Sequence, residues 1–379
     1  MEKQIQLSLK KLRQRQGMTQ KELAEKLQLS FQTISKWENG ITMPDIVYLP
    51  KLSAIFGVST DVLLGMKPLE SEEPWRRFDA CGYWNQHAER TKLWKRLYWN
   101  DDYFTFLVKE VWQLHDPVRI LDFGCGYGFL GMKFLPLLPK GSTYTGIDLD
   151  GSALYEAQRF FKETPWETRF IRQDIYQYEP DTKYDIAMGL QLMSYLQHPD
   201  EILQKMKASL MNGGKLILMD TNMEVEQAGY YSCIEQEEKR ERPDFTPVWK
   251  SEESHRERDY RMGTKLPALL KSIGMESIQA RISDKVILYD PEDEEKREIN
   301  EIFRYVHENK DSFVEGHSYF QSRGASYAEA AQYVDYNQST KQYFDSDKPF
   351  AVSTSALYFV WGELPGQKGG QEGCSNAEQ

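Results

Sequence analysis

With 379 residues, 40% hydrophobic and 13% aromatic, the chain suits two domains with a sizeable core, and no apolar run reaches the ~18–20 residues of a bilayer span. No signal peptide precedes the first helix, and Cys81, Cys125, Cys233 and Cys374 show neither metal spacing nor a disulfide framework, so a soluble cytoplasmic protein is expected. The net charge of −11 argues against a generally basic nucleic-acid binder, yet residues 1–66 carry nine Lys/Arg against six Asp/Glu, leaving −14 on the remainder. The two parts face different partners.

Residues 5–65 read as five short helices. Ile5, Leu9 and Leu12 recur at helical spacing up to Gly17. Thr19 caps a second helix with Glu22 completing a capping box, and Leu23, Ala24 and Leu27 form its buried face. Ser30 caps a third helix, Phe31 to Glu38, whose Ile34 and Trp37 point inward before Asn39-Gly40 ends it. Pro44, Leu49, Leu52, Ile55 and Leu63 complete a small core. The stretch MTQKELAEKLQLSFQTISKWENGITMP resembles the phage-repressor-like (Xre-type) helix-turn-helix family. That resemblance implies a third helix in the major groove of duplex DNA. It places Phe31, Gln32, Ser35 and Lys36 toward the bases, beside Ser30, with Gln20 and Asn39 at phosphates. Gln32 suits adenine and Phe31 a thymine methyl. A helical bundle used for protein contacts is the alternative.

Residues 67–74, KPLESEEP, read as an acidic, proline-bounded linker. The next stretch, 75–117, is rich in rings: Trp75, Tyr83, Trp84, Trp94, Tyr98, Trp99, Tyr103, Phe104, Phe106 and Trp112. Each ring taken singly reads as helix core.

Val118 to Phe123 is a short apolar run that ends in glycines, as a buried strand does. Gly124, Gly126 and Gly128 leave the backbone uncovered, so a ligand can approach the following helix, Phe129 to Leu138. A second strand, Thr143 to Ile147, brings Asp148 to its carboxyl end, where a carboxylate can accept from both hydroxyls of a ribose. Gly126-x-Gly128-x-x-Gly131 also satisfies the dinucleotide fingerprint. Asp122 separates the two ligand classes. Two residues before the glycine turn it would face a pyrophosphate at a cost of about 1–4 kcal/mol, whereas an ammonium or sulfonium would be attracted. A packed turn whose glycines serve no ligand is the bland alternative. Asp122-x-Gly124-x-Gly126-x-Gly128 followed by Asp148 resembles the first motif of the class I S-adenosylmethionine-dependent methyltransferases.

The rest of the chain is similar to that family. A helix, Ser152 to Phe161, leads to a strand at Glu167 to Arg172 and then Gln173-Asp174-Ile175. The resemblance implies that Asp174 meets the adenine amino group, with Ile175 and Leu190 also at the cofactor. Tyr184 to Met188 reads as the fourth strand. His198-Pro199-Asp200 opens a helix ending at Asn212-Gly213-Gly214, Lys215 to Met219 is the fifth strand, and Asp220 to Met262 is loop with short helices. The sixth strand runs from Ser277 to Ile287 and the last from Ala351 to Trp361, around an acidic helical insertion at 290–350.

The fold class expected is an all-α five-helix domain (1–66) followed by an α/β doubly wound, seven-stranded, Rossmann-like methyltransferase domain (75–363), with a disordered tail at 364–379. Leu192 to Leu196 holds none of the histidines that relatives often carry there, so His255, His317, Tyr195 and Tyr231 remain as unranked bases. Neither the Pro-Pro-aromatic run of DNA amino-methylating enzymes nor a Pro-Cys nucleophile is present. The function expected is a DNA-binding homodimer that methylates a small molecule or other non-DNA substrate. The alternative is a regulator whose methyltransferase fold only senses an adenosyl ligand or a metabolite.

Overall fold

A computed structural model of the chain describes residues 7–15, 18–56, 58, 60–64, 88–232, 243–255, 258–308, 316–346 and 349–366. The expected linker at 67–74, the rings of Trp75, Tyr83 and Trp84, Ile5, Gly17 and most of the expected tail lie outside these residues. The chain divides into two compact units. One comprises Met1–Asp79, Cys233–Glu252 and Arg304–Pro349, the other Ala80–Ser232, Glu253–Phe303 and Phe350–Gln379.

The amino-terminal segment forms helices α1 (Leu9–Arg15), α2 (Gln20–Leu27), α3 (Phe31–Glu38), α4 (Leu49–Phe56) and α5 (Thr60–Leu63), with a 3-10 turn at Ile46–Tyr48. Thr19 and Glu22 make the reciprocal capping box, and the Thr33 N–H donates to the Ser30 hydroxyl at 3.2 Å. Leu9, Leu23, Ile34, Trp37 and Leu52 close its core, together with Phe56, which the pattern of apolar spacing did not single out.

The second unit is built on a seven-stranded sheet. Helices α6 (Ala88–Tyr98) and α7 (Asp101–Phe106) precede it. Then come β1 (Arg119–Phe123), α8 (Phe129–Phe134), β2 (Thr143–Asp148), α9 (Gly151–Lys162), β3 (Glu167–Arg172), β4 (Tyr184–Leu190), α10 (Pro199–Ser209) and β5 (Leu210–Thr221). After α11 (Met223–Ala228), β6 (Tyr231–Ser232), α12 (Thr246–Ser254) and α13 (Met262–Ser272), the chain forms β7 (Glu276–Ile282) and β8 (Val286–Tyr289). Helices α14 (Arg297–Glu308), α15 (Gly316–Ser322) and α16 (Tyr327–Phe344) follow; most of α12, the end of α14, α15 and α16 belong to the first unit, and β9 (Ala351–Thr354) and β10 (Leu357–Glu363) return to the second. The sheet runs in the order β3-β2-β1-β4-β5-β10-β7; the first five strands of that order are parallel, and β10 runs antiparallel to both β5 and β7.

Strand pleating sorts β1 onto two faces. Ile120 joins a cluster with Phe104, Phe134 and Phe359, while Leu121 and Phe123 join one with Ile202, Met206 and Leu266. Helices therefore cover both faces, which is why β1 lacks a polar side. Tyr98, Trp99, Phe104 and Trp112 are buried, so these rings serve the core.

Four expectations for this unit need correction. The helix expected to reach Leu138 stops at Phe134 and tightens into a 3-10 turn, where Pro136 cannot continue the α-helical ladder. Helix α10 ends at Ser209, and Asn212-Gly213-Gly214 lies inside β5, which is longer than the apolar run alone suggested. The strand read as Ser277 to Ile287 is two strands, and so is the one read as Ala351 to Trp361. Their distal halves leave the large sheet for a second one, ordered β6-β9-β8. At the bend the ladder continues through Ser283 N to Leu357 O (2.8 Å) and Ser355 N to Lys285 O (2.9 Å), so few backbone groups are sacrificed in changing sheets.

Candidate functional site

The glycine loop joins β1 to α8. All three of its glycines have positive φ, Gly124 at 68°, Gly126 at 53° and Gly128 at 79°. They differ in surroundings. A Cβ on Gly124 would meet Leu192 Cδ1 at 2.9 Å, and one on Gly128 would meet Phe161 Cε2 at 2.9 Å, while one on Gly126 meets nothing within 4 Å. Gly124 and Gly128 thus answer to packing, and Gly126 borders open space. The loop is pinned to the end of β2 by Cys125 N donating to Ile147 O (3.0 Å) and Gly126 N donating to Asp148 Oδ2 (2.7 Å).

Asp122 is 1% exposed, on the same face of β1 as Ile120. The Tyr144 hydroxyl donates to its Oδ2 at 2.6 Å, and its Oδ1 is buried without a hydrogen-bond partner. Burial pushes this carboxyl up to about 7. The Tyr144 hydrogen bond and the charge of Lys95 pull against that, and Asp148 adds repulsion. Asp148 accepts from Gly126 N and, through Oδ1, from Asp150 N at 2.9 Å. Its pKa is raised by burial, against those backbone donors. Two accepted bonds leave a carboxylate with lone pairs for further donors.

Lys95 was not singled out from the sequence, because its significance is tertiary. It projects from α6, its Nζ 5.2 Å from the ring centroids of both Tyr127 and Phe129. Burial lowers its ammonium to about 8, although Asp122 and Asp148 both favour the charged form. The only local signal was its spacing from Lys92, which pairs with Glu89 and Glu156. A strand-end carboxylate with one unsatisfied oxygen, an ammonium that favours its charged form and an open glycine suit a zwitterionic ligand better than a pyrophosphate.

Elsewhere along the carboxyl edge, Asp174 Oδ1 accepts from Tyr176 N at 2.9 Å, Ile175 packs against the cluster that holds Leu121 and Phe123, and Leu190 is buried at the end of β4. Gln191, just beyond, adopts φ 50° and donates its N–H to Met219 O at 2.7 Å. A non-glycine residue held in that region is a strained position of the kind that collects at functional sites, and it too was missed. Of the unranked bases, Tyr195 sits in the turn after β4. Tyr231 lies on β6 of the small sheet, His255 is exposed with its Nδ1 3.2 Å from the Ser254 hydroxyl, and the side chain of His317 lies outside the described residues.

In the amino-terminal segment Phe31 is 53% exposed at the start of α3. Gln32, Lys36 and Asn39 are exposed on or just beyond the same helix, and Ser35 is half-buried, accepting from Asn39 Nδ2 at 3.3 Å. Ser30 is committed to the cap. Gln20 Nε2 donates to Glu38 Oε2 at 2.8 Å, and Glu38 also takes Arg13 Nε at 2.5 Å.

Comparison with known proteins matches two separate stretches of the chain. Residues 9–63 match the helix-turn-helix family and residues 121–216 a methyltransferase domain family. The chain joins a helix-turn-helix domain to a methyltransferase domain. The helix-turn-helix domain is 49% identical over 57 residues to the HTH-type transcriptional regulator ImmR of Bacillus subtilis, covering 15% of this chain and 45% of that protein. The methyltransferase domain is 28% identical over 110 residues to a ubiquinone biosynthesis O-methyltransferase of Leptothrix cholodnii, covering 28% of this chain and 46% of that one. The chain thus spans about half the length of the curated relatives it matches. Among solved structures, phosphoethanolamine N-methyltransferase 2 of Haemonchus contortus in complex with S-adenosyl-L-methionine is 16% identical, with a TM-score of 0.42, over 74% of this chain and 58% of that one. No helix among the described residues is long and apolar enough to cross a membrane.

Proposed function

We propose that the methyltransferase domain binds S-adenosylmethionine and methylates a small molecule, while the helix-turn-helix domain binds duplex DNA as part of a homodimer in the cytoplasm. The buried, unpartnered Oδ1 of Asp122, beside Lys95, carries the cofactor reading. Asp122 would receive the ammonium of the amino acid end and Lys95 its carboxylate. Asp148 would take the ribose hydroxyls with its remaining lone pairs, and Asp174, Ile175 and Leu190 would border the adenine. The bound cofactor supplies an electrophilic methyl group on sulfur. The chain's own contribution is then largely to hold the acceptor in line with it and keep water out, since a sulfonium needs little further activation. The acidic remainder of the chain, −14 outside residues 1–66, disfavours a polyanionic acceptor and supports a small one.

Calorimetry decides the cofactor. S-adenosylmethionine and S-adenosylhomocysteine are expected to bind and NAD is not; binding of NAD alone would sink the reading. Asp148→Ala is expected to weaken adenosyl binding by about 1–3 kcal/mol, the scale of a charge-assisted hydrogen bond.

A second reading, a regulator that senses the adenosyl ligand without turnover, is favoured by one observation. Of the four residues considered as bases, Tyr195 alone is described at the carboxyl edge of the sheet. A methyl-release assay over a metabolite panel, run beside DNA binding with and without S-adenosylhomocysteine, separates the two. Turnover with unchanged DNA affinity eliminates the pure sensor. A tenfold DNA-affinity shift without turnover eliminates the enzyme.

A further inference from the structure

One segment of the helix-turn-helix domain displays apolar side chains that the domain's core does not use. Ile41, Met43, Ile46 and Val47, in the stretch ITMPDIV between α3 and α4, are between 47% and 76% exposed. No other seven consecutive residues among those described leave four large apolar side chains in water. Single exposed apolar residues need no explanation, whereas a group of them marks a contact surface.

The segment is held in place. Ile41 N donates to Lys36 O at 2.9 Å, Val47 N to Asp45 Oδ1 at 3.3 Å and Tyr48 N to Asp45 O at 2.9 Å. The Tyr48 ring packs on Trp37, with ring centroids 5.6 Å apart, so the chain turns this ring toward the core and leaves the four apolar side chains outside. A surface fixed before contact loses little freedom on binding.

Charge and area select the occupant. ITMPDIV carries no Lys or Arg and one acid, Asp45, so a phosphate backbone laid along it would meet a like charge and no cation. Four side chains of this size and exposure offer on the order of 400 Å², comparable to the largest apolar patch of an ordinary monomer. That is about half of the roughly 800 Å² per partner in a stable pair. Such an area suits a second copy that a neighbouring half-site already holds close. A symmetric pair presents the same patch from both sides, and an apolar segment is complementary to itself. None of the residues expected at bases or phosphates lies within 41–47, so pairing through it uses no group that DNA needs.

We infer that residues 41–47 form the contact between two copies of the chain on adjacent half-sites of one duplex, the two segments meeting about a two-fold axis. This rests on the DNA-binding reading and names the surface through which its dimer forms.

The test uses the full chain and the duplex recovered by selection from a random library, both intact and cut to a single half-site. Ile46→Ser combined with Val47→Ser should bind the intact site at least tenfold more weakly than the parent and the half-site within twofold of it, with an unchanged melting temperature. Ile46→Leu should match the parent on both. A photo-reactive p-benzoylphenylalanine introduced at Ile46 should cross-link to residues 41–47 of a second copy on the intact site. Equal losses on both duplexes, or a cross-link to the DNA, would make the segment a DNA contact and overturn the inference. So would no loss on either duplex, or cross-links that map elsewhere. Recovery of no duplex would refute the DNA-binding reading instead; the cross-link in the concentrated free chain then decides the contact by itself, and its absence overturns it.

Discussion

With its carboxyl raised to about 7 by burial, Asp122 is close to half protonated at neutral pH when no ligand is near. An ammonium beside it favours the charged form, so binding expels a proton below pH 7. Adenosyl affinity is therefore expected to rise as pH goes from 6 to 7 and level off above. Calorimetry on Asp122→Asn should show a flat acid limb. Stability moves the opposite way. Because the folded pKa lies above the unfolded value of 3.8, the native state holds the extra proton between about pH 4 and 7, and stability falls across that window as pH rises. Ligand-free Asp122→Asn is accordingly expected to melt above the parent at pH 8 and to lose that advantage near pH 4. The importance of Asp122 was legible, since an acid before a glycine turn limits which ligand can lie there. Its protonation was not, because the hydroxyl of Tyr144 and the ammonium of Lys95 come from other elements.

The glycine loop separates packing from ligand approach. Gly128→Ala is expected to cost about 2–4 kcal/mol in denaturant unfolding, from its positive φ together with the collision with Phe161. Gly126→Ala faces only the backbone strain, about 1–2 kcal/mol, yet should lose most adenosyl affinity, because its new methyl fills the open side. Equal stability losses would contradict this division. Strands β1 and β4 were readable because a central parallel strand leaves a mostly apolar run closed by turn residues, and β2 because its β-branched and aromatic residues run from the turn at Gly141 to Asp148. The double strands β7-β8 and β9-β10 were not. Through Ser355 and Ala356 no glycine or proline interrupts the β-branched and aromatic pattern, and the choice of sheet is made by tertiary pairing.

At the scale of the whole molecule, the helix-turn-helix domain carries only a modest positive excess, so two half-sites in a roughly palindromic duplex are expected to be needed for firm binding. Footprinting after sequence selection checks this, and recovery of no preferred duplex would count against it. Gln20 already gives one amide hydrogen to Glu38, which orients the other for a phosphate. Gln20→Ala should weaken all sequences alike, whereas Gln32→Ala should relax base choice at one position. If adenosyl binding changes DNA affinity, DNA must change adenosyl affinity by the same factor, and measuring both directions guards against an artefact in either.

Tyr289 and Ala351 face one another as partners on the β8–β9 ladder, so the chain between them departs and returns across a single rung. In genetic terms residues 290–350 resemble a cassette spliced into a hairpin, whose two ends already stand at the spacing of a tight turn. Replacing the cassette with Asn-Gly should yield a shorter protein that retains the seven-stranded sheet and S-adenosylhomocysteine binding. Loss of that binding in a soluble, folded excision variant would mean that the cassette and the cofactor domain have become interdependent.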